Sequence, residues 1–206
     1  MKKYIKKIKN YIFKNSLLDN NDALKKQEQK TITLKKEKTS DVSRWSKNNE
    51  LRSNWNERTA IMASYLVKDS SIIEFGAGVM YLKTILLPTQ SYTSSDIVKR
   101  FPETLVCDLN EPITFDLTTY NVAIFSGVLE YVYDVDRVLK QLSAAKVSQL
   151  ILSYCCSDIV LLNREMNGWL SDFKKAEIEE IIKNNNYEIL DYTEWNKQSI
   201  YNLKLK

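Results

Sequence analysis

The sequence predicts an α/β chain: a doubly wound, mostly parallel sheet of seven strands that ends in an antiparallel hairpin and follows a helical N-terminal segment. Three observations carry this prediction. Short β-rich runs near 71–75, 91–95, 104–107, 121–126 and 148–154 alternate with helical-period stretches near 79–87, 135–145 and 173–184. The first run, Ser71-Ile72-Ile73-Glu74-Phe75, ends in a Gly76-Ala77-Gly78 turn, the arrangement that opens a ligand crevice at the carboxyl edge of a parallel sheet. Two further β-rich runs, 187–193 and 199–205, close the chain and are joined by residues 194–198, which predicts the hairpin.

Taken in order, residues 1–14 place Tyr4, Ile5, Ile8, Tyr11 and Ile12 at helical spacing with lysines opposite. Such a helix suits a weak contact with an anionic membrane surface or a loose contact with nucleic acid; a solvated or partner-packed face is the commoner use of such a pattern. Residues 15–41 are polar and aperiodic and read as a linker. Residues 1–40 are therefore expected to be a basic extension, and 41–206 the folded domain. Two helices are expected between Asp41 and Leu66, before the first strand. The segment from Ile97 to Thr104 contains Pro102 and is too short for a crossover helix, and 111–116 is broken by Pro112.

Charge and composition narrow the function classes. Residues 1–40 carry 12 lysines against 4 acids, so the net +4 of the chain resolves into +8 there and −4 in the remainder. A mildly acidic domain predicts no specific nucleic-acid binding. No apolar run reaches the roughly 20 residues needed to span a bilayer, and no secretory signal is expected, because lysines interrupt the apolar positions of the leader. Cys107, Cys155 and Cys156 lack metal-ligand spacing, and reduced thiols in a cytoplasmic protein, peripheral to the inner membrane face if the leader binds it, are the expectation. Oligomeric state is not encoded in any visible pattern.

The glycine turn is the informative motif. An acid, Asp96, closes the second strand, at the place where a ribose diol is held, so a nucleoside-containing cofactor is expected. A dinucleotide fingerprint needs a third glycine at position 81, which is Tyr81, and no Gly-Lys-Ser/Thr ending marks a P-loop. Glu74, two residues before the first glycine, would repel a diphosphate and suits a cationic ligand. S-adenosylmethionine, with its sulfonium and ammonium, fits that electrostatic demand.

In these features the chain resembles the class I S-adenosylmethionine-dependent methyltransferases over about residues 55–206. Glu74-Phe75-Gly76-Ala77-Gly78 is similar to their first motif, and Asp96 with Ile97 to the acid that binds the ribose hydroxyls. Cys107-Asp108-Leu109-Asn110 is similar to the third-strand segment whose Asp lies beside the adenine amine. Asn121 through Asp134, with Ser126 and Gly127, looks like the fourth strand and the loop that reaches the methionine end and the substrate. The resemblance implies a Rossmann-like sheet and a lid built from the helices before the first strand. By that analogy Trp55 and Arg58 face the pocket, with Arg58 near the methionine carboxylate; packing of Trp55 on the sheet beside a surface Arg58 is the other reading. Two departures stand out: Met80 replaces a small residue of the glycine loop, and no histidine follows the fourth strand.

Asp96 and Asp108 each also suit a local capping role. For catalysis, Glu130 is a candidate base, Tyr131 a positioner of the acceptor, and Asp134 a further acid in the same loop. Gly168-Trp169 lies where a substrate loop is expected, with Trp169 either stacking on a ring or covering the core. The expected function is methylation, on oxygen, of a small molecule or a glycan sugar. A nicotinamide-dependent reductase using the same crevice, or an inactive methyltransferase-like binding module, are the alternatives.

Overall fold

The computed structural model describes residues 21–206; the amphipathic leader helix expected over 1–14 lies outside them. Residues 21–37 form helix α1, α2 spans Val42–Trp45 and α3 spans Asn56–Ala63. The strands are β1 (Ser71–Phe75), β2 (Ser91–Asp96), β3 (Leu105–Val106), β4 (Val122–Phe125), β5 (Gln149–Tyr154), β6 (Tyr187–Trp195) and β7 (Gln198–Leu205). Helix α4 (Val135–Ala144) connects β4 to β5, and α5 (Lys175–Asn184) precedes β6.

The seven strands are ordered β3-β2-β1-β4-β5-β7-β6. Pairings among β1 to β5 are parallel, and β7 runs antiparallel to both β5 and β6. This is the expected sheet, including its terminal hairpin. Alternation along the central strands sends residues to two cores. Ile73, Phe75, Ala123, Phe125, Leu150 and Leu152 meet Val138, Leu139 and Leu142 of α4 and Ile178 and Ile182 of α5. Ile72, Ile124 and Ile151 point the other way, onto Met62 of α3. Phe75 and Phe125 stack at 4.9 Å between centroids, which locks the register of β1 against β4 beneath the carboxyl edge.

Three expectations are corrected. The stretch 79–87 holds a single 3-10 turn, Leu82–Ile85, in place of a full helix. Gly78 and Met80, either side of Val79, both adopt positive φ there, and left-handed residues so close together prevent a right-handed helix from starting at the glycine turn. Residues 21–37, expected as linker, are helical. Their packed face is made by Gln27, Thr31, Leu34 and Lys35, so an apolar periodicity was never present to reveal it. Thr31 is fully buried and donates to the Glu165 carbonyl at 2.8 Å. Finally, the terminal hairpin turns on two residues, Asn196 and Lys197, both at positive φ (46° and 65°). That is a type I′ geometry, which matches strand twist better than the expected five-residue loop.

Lys197 holds a left-handed backbone that costs a non-glycine residue about 1–2 kcal/mol. Lys197→Gly should raise stability by about 0.5–1 kcal/mol in urea unfolding, after the extra chain entropy of glycine is subtracted. A decrease would show that the lysine side chain supplies an interaction larger than the strain.

Candidate active site

The carboxyl ends of β1, β2 and β4 splay around a cleft, as the crossover geometry of a parallel sheet requires. Its floor is Glu74, Phe75 and the turn Gly76-Ala77-Gly78; its sides are Asp96, Ile97, Asp108, Leu109, Ser126 and Gly127. Ser40, Asp41, Trp45, Leu51 and Trp55 roof it. Arg58 and Tyr131 reach the same space, so every residue that the sequence assigns to a cofactor lies on one wall.

Gly76 has φ 68°, and a Cβ there would overlap the Val128 side chain. The turn is closed from β2: the Gly78 N–H donates to Asp96 Oδ2 at 2.8 Å, and the Val98 N–H to Oδ1 at 3.0 Å. Asp96 thus takes the local capping role that the sequence offered it, and it also lines the cleft. Asp108 accepts from Ser40 Oγ at 2.7 Å and from the Asn110 N–H at 2.9 Å, tying the roof to the third-strand segment.

Glu74 is buried and accepts from the Tyr92 hydroxyl at 2.6 Å. Burial, joined by the nearby Asp96 charge and opposed by the Tyr92 hydrogen bond, pushes its carboxyl up to about 8. It makes no ion pair among the described residues. A buried acid held neutral for want of a cation, beside a second acid, fits a positively charged ligand and disfavours a diphosphate.

Arg58 is 5% exposed and fully engaged in the wall. Nε donates to Ser126 Oγ (3.0 Å), Nη2 to the Ser126 carbonyl (2.9 Å) and Nη1 to Gln198 Oε1 (2.7 Å). Its guanidinium sits 5.9 Å from the Trp55 ring and 5.7 Å from that of Trp195. Gly127, at φ 67°, leaves it room, since a Cβ there would overlap the guanidinium. Burial lowers the Arg58 pKa, and the Glu130 charge opposes the shift.

The catalytic assignments are redistributed. Glu130 is 1% exposed and lies behind the wall, where Oε1 accepts from the Cys155 N–H at 2.8 Å and from Gln198 Nε2 at 3.0 Å. It is off both cavity surfaces, so it cannot take a proton from an acceptor there. The residue was expected as a base in the loop that reaches the substrate, but a 3-10 turn, Leu129–Tyr131, folds it away from the cleft. Gln198 bridges it to Arg58, which makes Glu130 a counter-charge for that cation. Asp134 caps α4, accepting from the Arg137 N–H. Tyr131 is on the cleft wall, edge-on to Trp45 at 4.8 Å, and burial pushes its hydroxyl up to about 12. It can position an acceptor but stays protonated near neutral pH. Trp169 is largely buried, with the Arg164 guanidinium 4.3 Å from its ring.

The sequence pointed to a lid before the first strand, with Trp55 and Arg58 toward the pocket, but not to the contacts that pin that roof or to Gln198. The roof is pinned by Lys30–Asp41, Lys35–Glu165 and Arg44–Glu50 ion pairs, and by Arg44 donating to the Asn167 carbonyl. Tyr133 donates its hydroxyl to the Leu34 and Thr39 carbonyls. Such long-range polar contacts leave no periodic trace; the aromatic density of 45–55 was the one available signal.

No family model matches the chain, and no curated protein matches its sequence. Solved structures do match. Magnesium protoporphyrin IX methyltransferase from Synechocystis PCC 6803, with bound S-adenosylmethionine, aligns with TM-score 0.52 and 17% identity over 74% of this chain and 78% of that one. Mitomycin 7-O-methyltransferase aligns with TM-score 0.57 and 13% identity over 77% of this chain, which spans 56% of its length. The chain has the class I S-adenosylmethionine-dependent methyltransferase fold. A third match is the N-terminal domain of EvdMO1, determined with S-adenosylhomocysteine and D-fucose; TM-score 0.51 and 14% identity relate 75% of this chain to 84% of that domain. This methyltransferase fold places the cleft described above at its central switch point, between β1 and β4.

Two outcomes follow. Because Glu74 holds in the folded state a proton that the unfolded chain has lost, stability should fall as pH rises from about 4.5 to 8, by up to about 1.4 kcal/mol per pH unit, and level off above. Glu74→Gln should flatten that slope in urea titrations at successive pH values; an unchanged slope would assign it to another group. A chain beginning at Asp41 loses the Thr31, Lys35 and Ser40 contacts and should unfold about 2–4 kcal/mol more easily, at about 1 kcal/mol per hydrogen bond. Equal stability would make residues 21–40 an accessory after all.

Proposed function

We propose that this chain is an S-adenosylmethionine-dependent methyltransferase acting on an oxygen of a small molecule or of a glycan sugar. The carrying observation is the buried, cation-free Glu74 beside the Gly76–Gly78 turn and Asp96, in a methyltransferase fold. The acceptor class draws support from the neighbours: one is by its title a 7-O-methyltransferase and another was determined with D-fucose. A nicotinamide dinucleotide is disfavoured because Tyr81 stands where its fingerprint needs a third glycine for close approach of the diphosphate.

The bound cofactor would supply a methyl group already activated by a sulfonium. Glu74 would face its ammonium end, Asp96 would accept from the ribose hydroxyls and Asp108 from the adenine amine. The N–H groups of the glycine turn and Ile97 and Leu109 would frame the nucleoside, while Ser126, Gly127 and Arg58 would border the methionine end. The Trp45–Trp55 roof excludes water and holds the two reactants in line, which is the main source of rate when the leaving group is intrinsically good. With Tyr131 protonated and Glu130 withdrawn, the acceptor's own proton leaves to solvent, or the acceptor arrives ionised.

Calorimetric titration with S-adenosylmethionine, S-adenosylhomocysteine and NADH tests this reading. The first two should bind and NADH should not; tight NADH binding would overturn the proposal. At pH 7, S-adenosylmethionine should displace up to one proton as Glu74 ionises, seen as a dependence of heat on buffer ionisation enthalpy. Asp96→Ala should weaken binding by about 1–3 kcal/mol through lost charged hydrogen bonds. It also removes the acceptor of the Gly78 N–H, so affinity and unfolding must be measured together. Product binding without transfer to any acceptor would favour an inactive binding module.

A further inference from the structure

We propose that a second cavity, beside the cofactor cleft, is the acceptor site and takes a hydroxylated aromatic ring bearing an anionic group. This rests on reading the first cleft as an S-adenosylmethionine site. The two cavities share Trp55 and Arg58, so a ligand in the second lies against the wall that borders the methionine end of the first. Three of the chain's four tryptophans, Trp55, Trp169 and Trp195, line it. Indole faces of this number suit a flat ring. Leu161 and Leu162 stand on its rim at 89% and 57% exposure, large apolar side chains that no described residue covers and that an apolar ligand would.

The charge pattern selects further. Arg58 and the exposed Lys197 line the cavity, and no carboxylate does. Two nearby acids are turned to other partners: Glu57 accepts from Trp195 Nε1 at 2.9 Å, and Glu130 is sealed behind Gln198 and Cys155. A polyhydroxylated sugar is usually gripped by carboxylates; among its described residues this wall offers only the neutral amides of Asn167, Asn196 and Gln198, beside indoles and aliphatic side chains. An anionic aromatic meets both features at once, its ring on the indoles and its charge toward Lys197. Arg58 stays bonded to Ser126 and Gln198 throughout, so Lys197 is the adjustable cation.

Equilibrium dialysis of the full chain, with S-adenosylhomocysteine saturating, tests this with 6-hydroxy-2-naphthoate, 2-naphthol and methyl glucoside. The naphthoate should bind about tenfold more tightly than the neutral naphthol, the ratio worth about 1.4 kcal/mol, and the glucoside should not be retained. Lys197→Glu should lower naphthoate affinity about tenfold and leave naphthol within about twofold. Leu162→Glu, at an exposed rim position that folding does not need, should weaken both rings. Equal affinity for the two naphthalenes, retention of neither, or preference for the glucoside would overturn the proposal. Failure of the cofactor reading is separable: S-adenosylhomocysteine would then not be retained, whereas Lys197-dependent naphthoate binding would persist.

Discussion

A buried cation organises the functional face of this protein. Arg58 leaves α3 and enters the gap between the carboxyl end of β4 and the start of β7, where Ser126 and Gln198 receive its protons. Removing a guanidinium from water is costly unless its donors are satisfied and its charge is balanced. Both conditions are met locally: Gln198 passes a hydrogen bond on to Glu130, and Glu130 is fixed in turn by the Cys155 N–H at the end of β5. One network therefore joins α3, β4, β5 and the terminal hairpin. Those are the elements that must stay in register for a roof, a cofactor cleft and a second cavity to meet at one wall.

The same network explains why the acid after β4 is not placed as a base. A carboxylate exposed in the cleft could take a proton; a carboxylate needed to neutralise Arg58 is more useful where water is absent. Tyr131, the next residue, keeps the cleft position, and burial holds its hydroxyl protonated. The chemistry left to the chain is positioning and exclusion of water, which suits a displacement at an already activated carbon.

Charge is divided across that wall. Glu74, Asp96 and Asp108 line the first cleft together with Arg100, and burial pushes the Glu74 carboxyl up to about 8. Lys197 lines the second cavity, which shares Arg58 with the first and has no carboxylate among its described lining residues. The N-terminal segment completes the cofactor side through polar contacts alone: Thr31 on Glu165, Ser40 on Asp108, Arg44 on Asn167.

How much was legible in the sequence follows from the range of the interactions involved. Period-two runs, the Gly76-Ala77-Gly78 turn after a strand and the acid closing the next one are local, and they determined the sheet, its crevice and the residues that border it. The hairpin was equally local, although its turn is tighter than composition suggested, because Asn196 and Lys197 accept left-handed backbone to match strand twist. Three features depended on tertiary structure. Helix α1 packs through Thr31 and Lys35, whose common partner Glu165 lies about 130 residues away, so no apolar period announces it. The helix expected after the glycine turn shrinks to Leu82–Ile85 because Met80 is held in a conformation that helices forbid. Glu130 turns from the cleft to Arg58 because desolvated charges must find each other, and which pairs can meet is known only once the sheet has brought β4, β5 and β7 together.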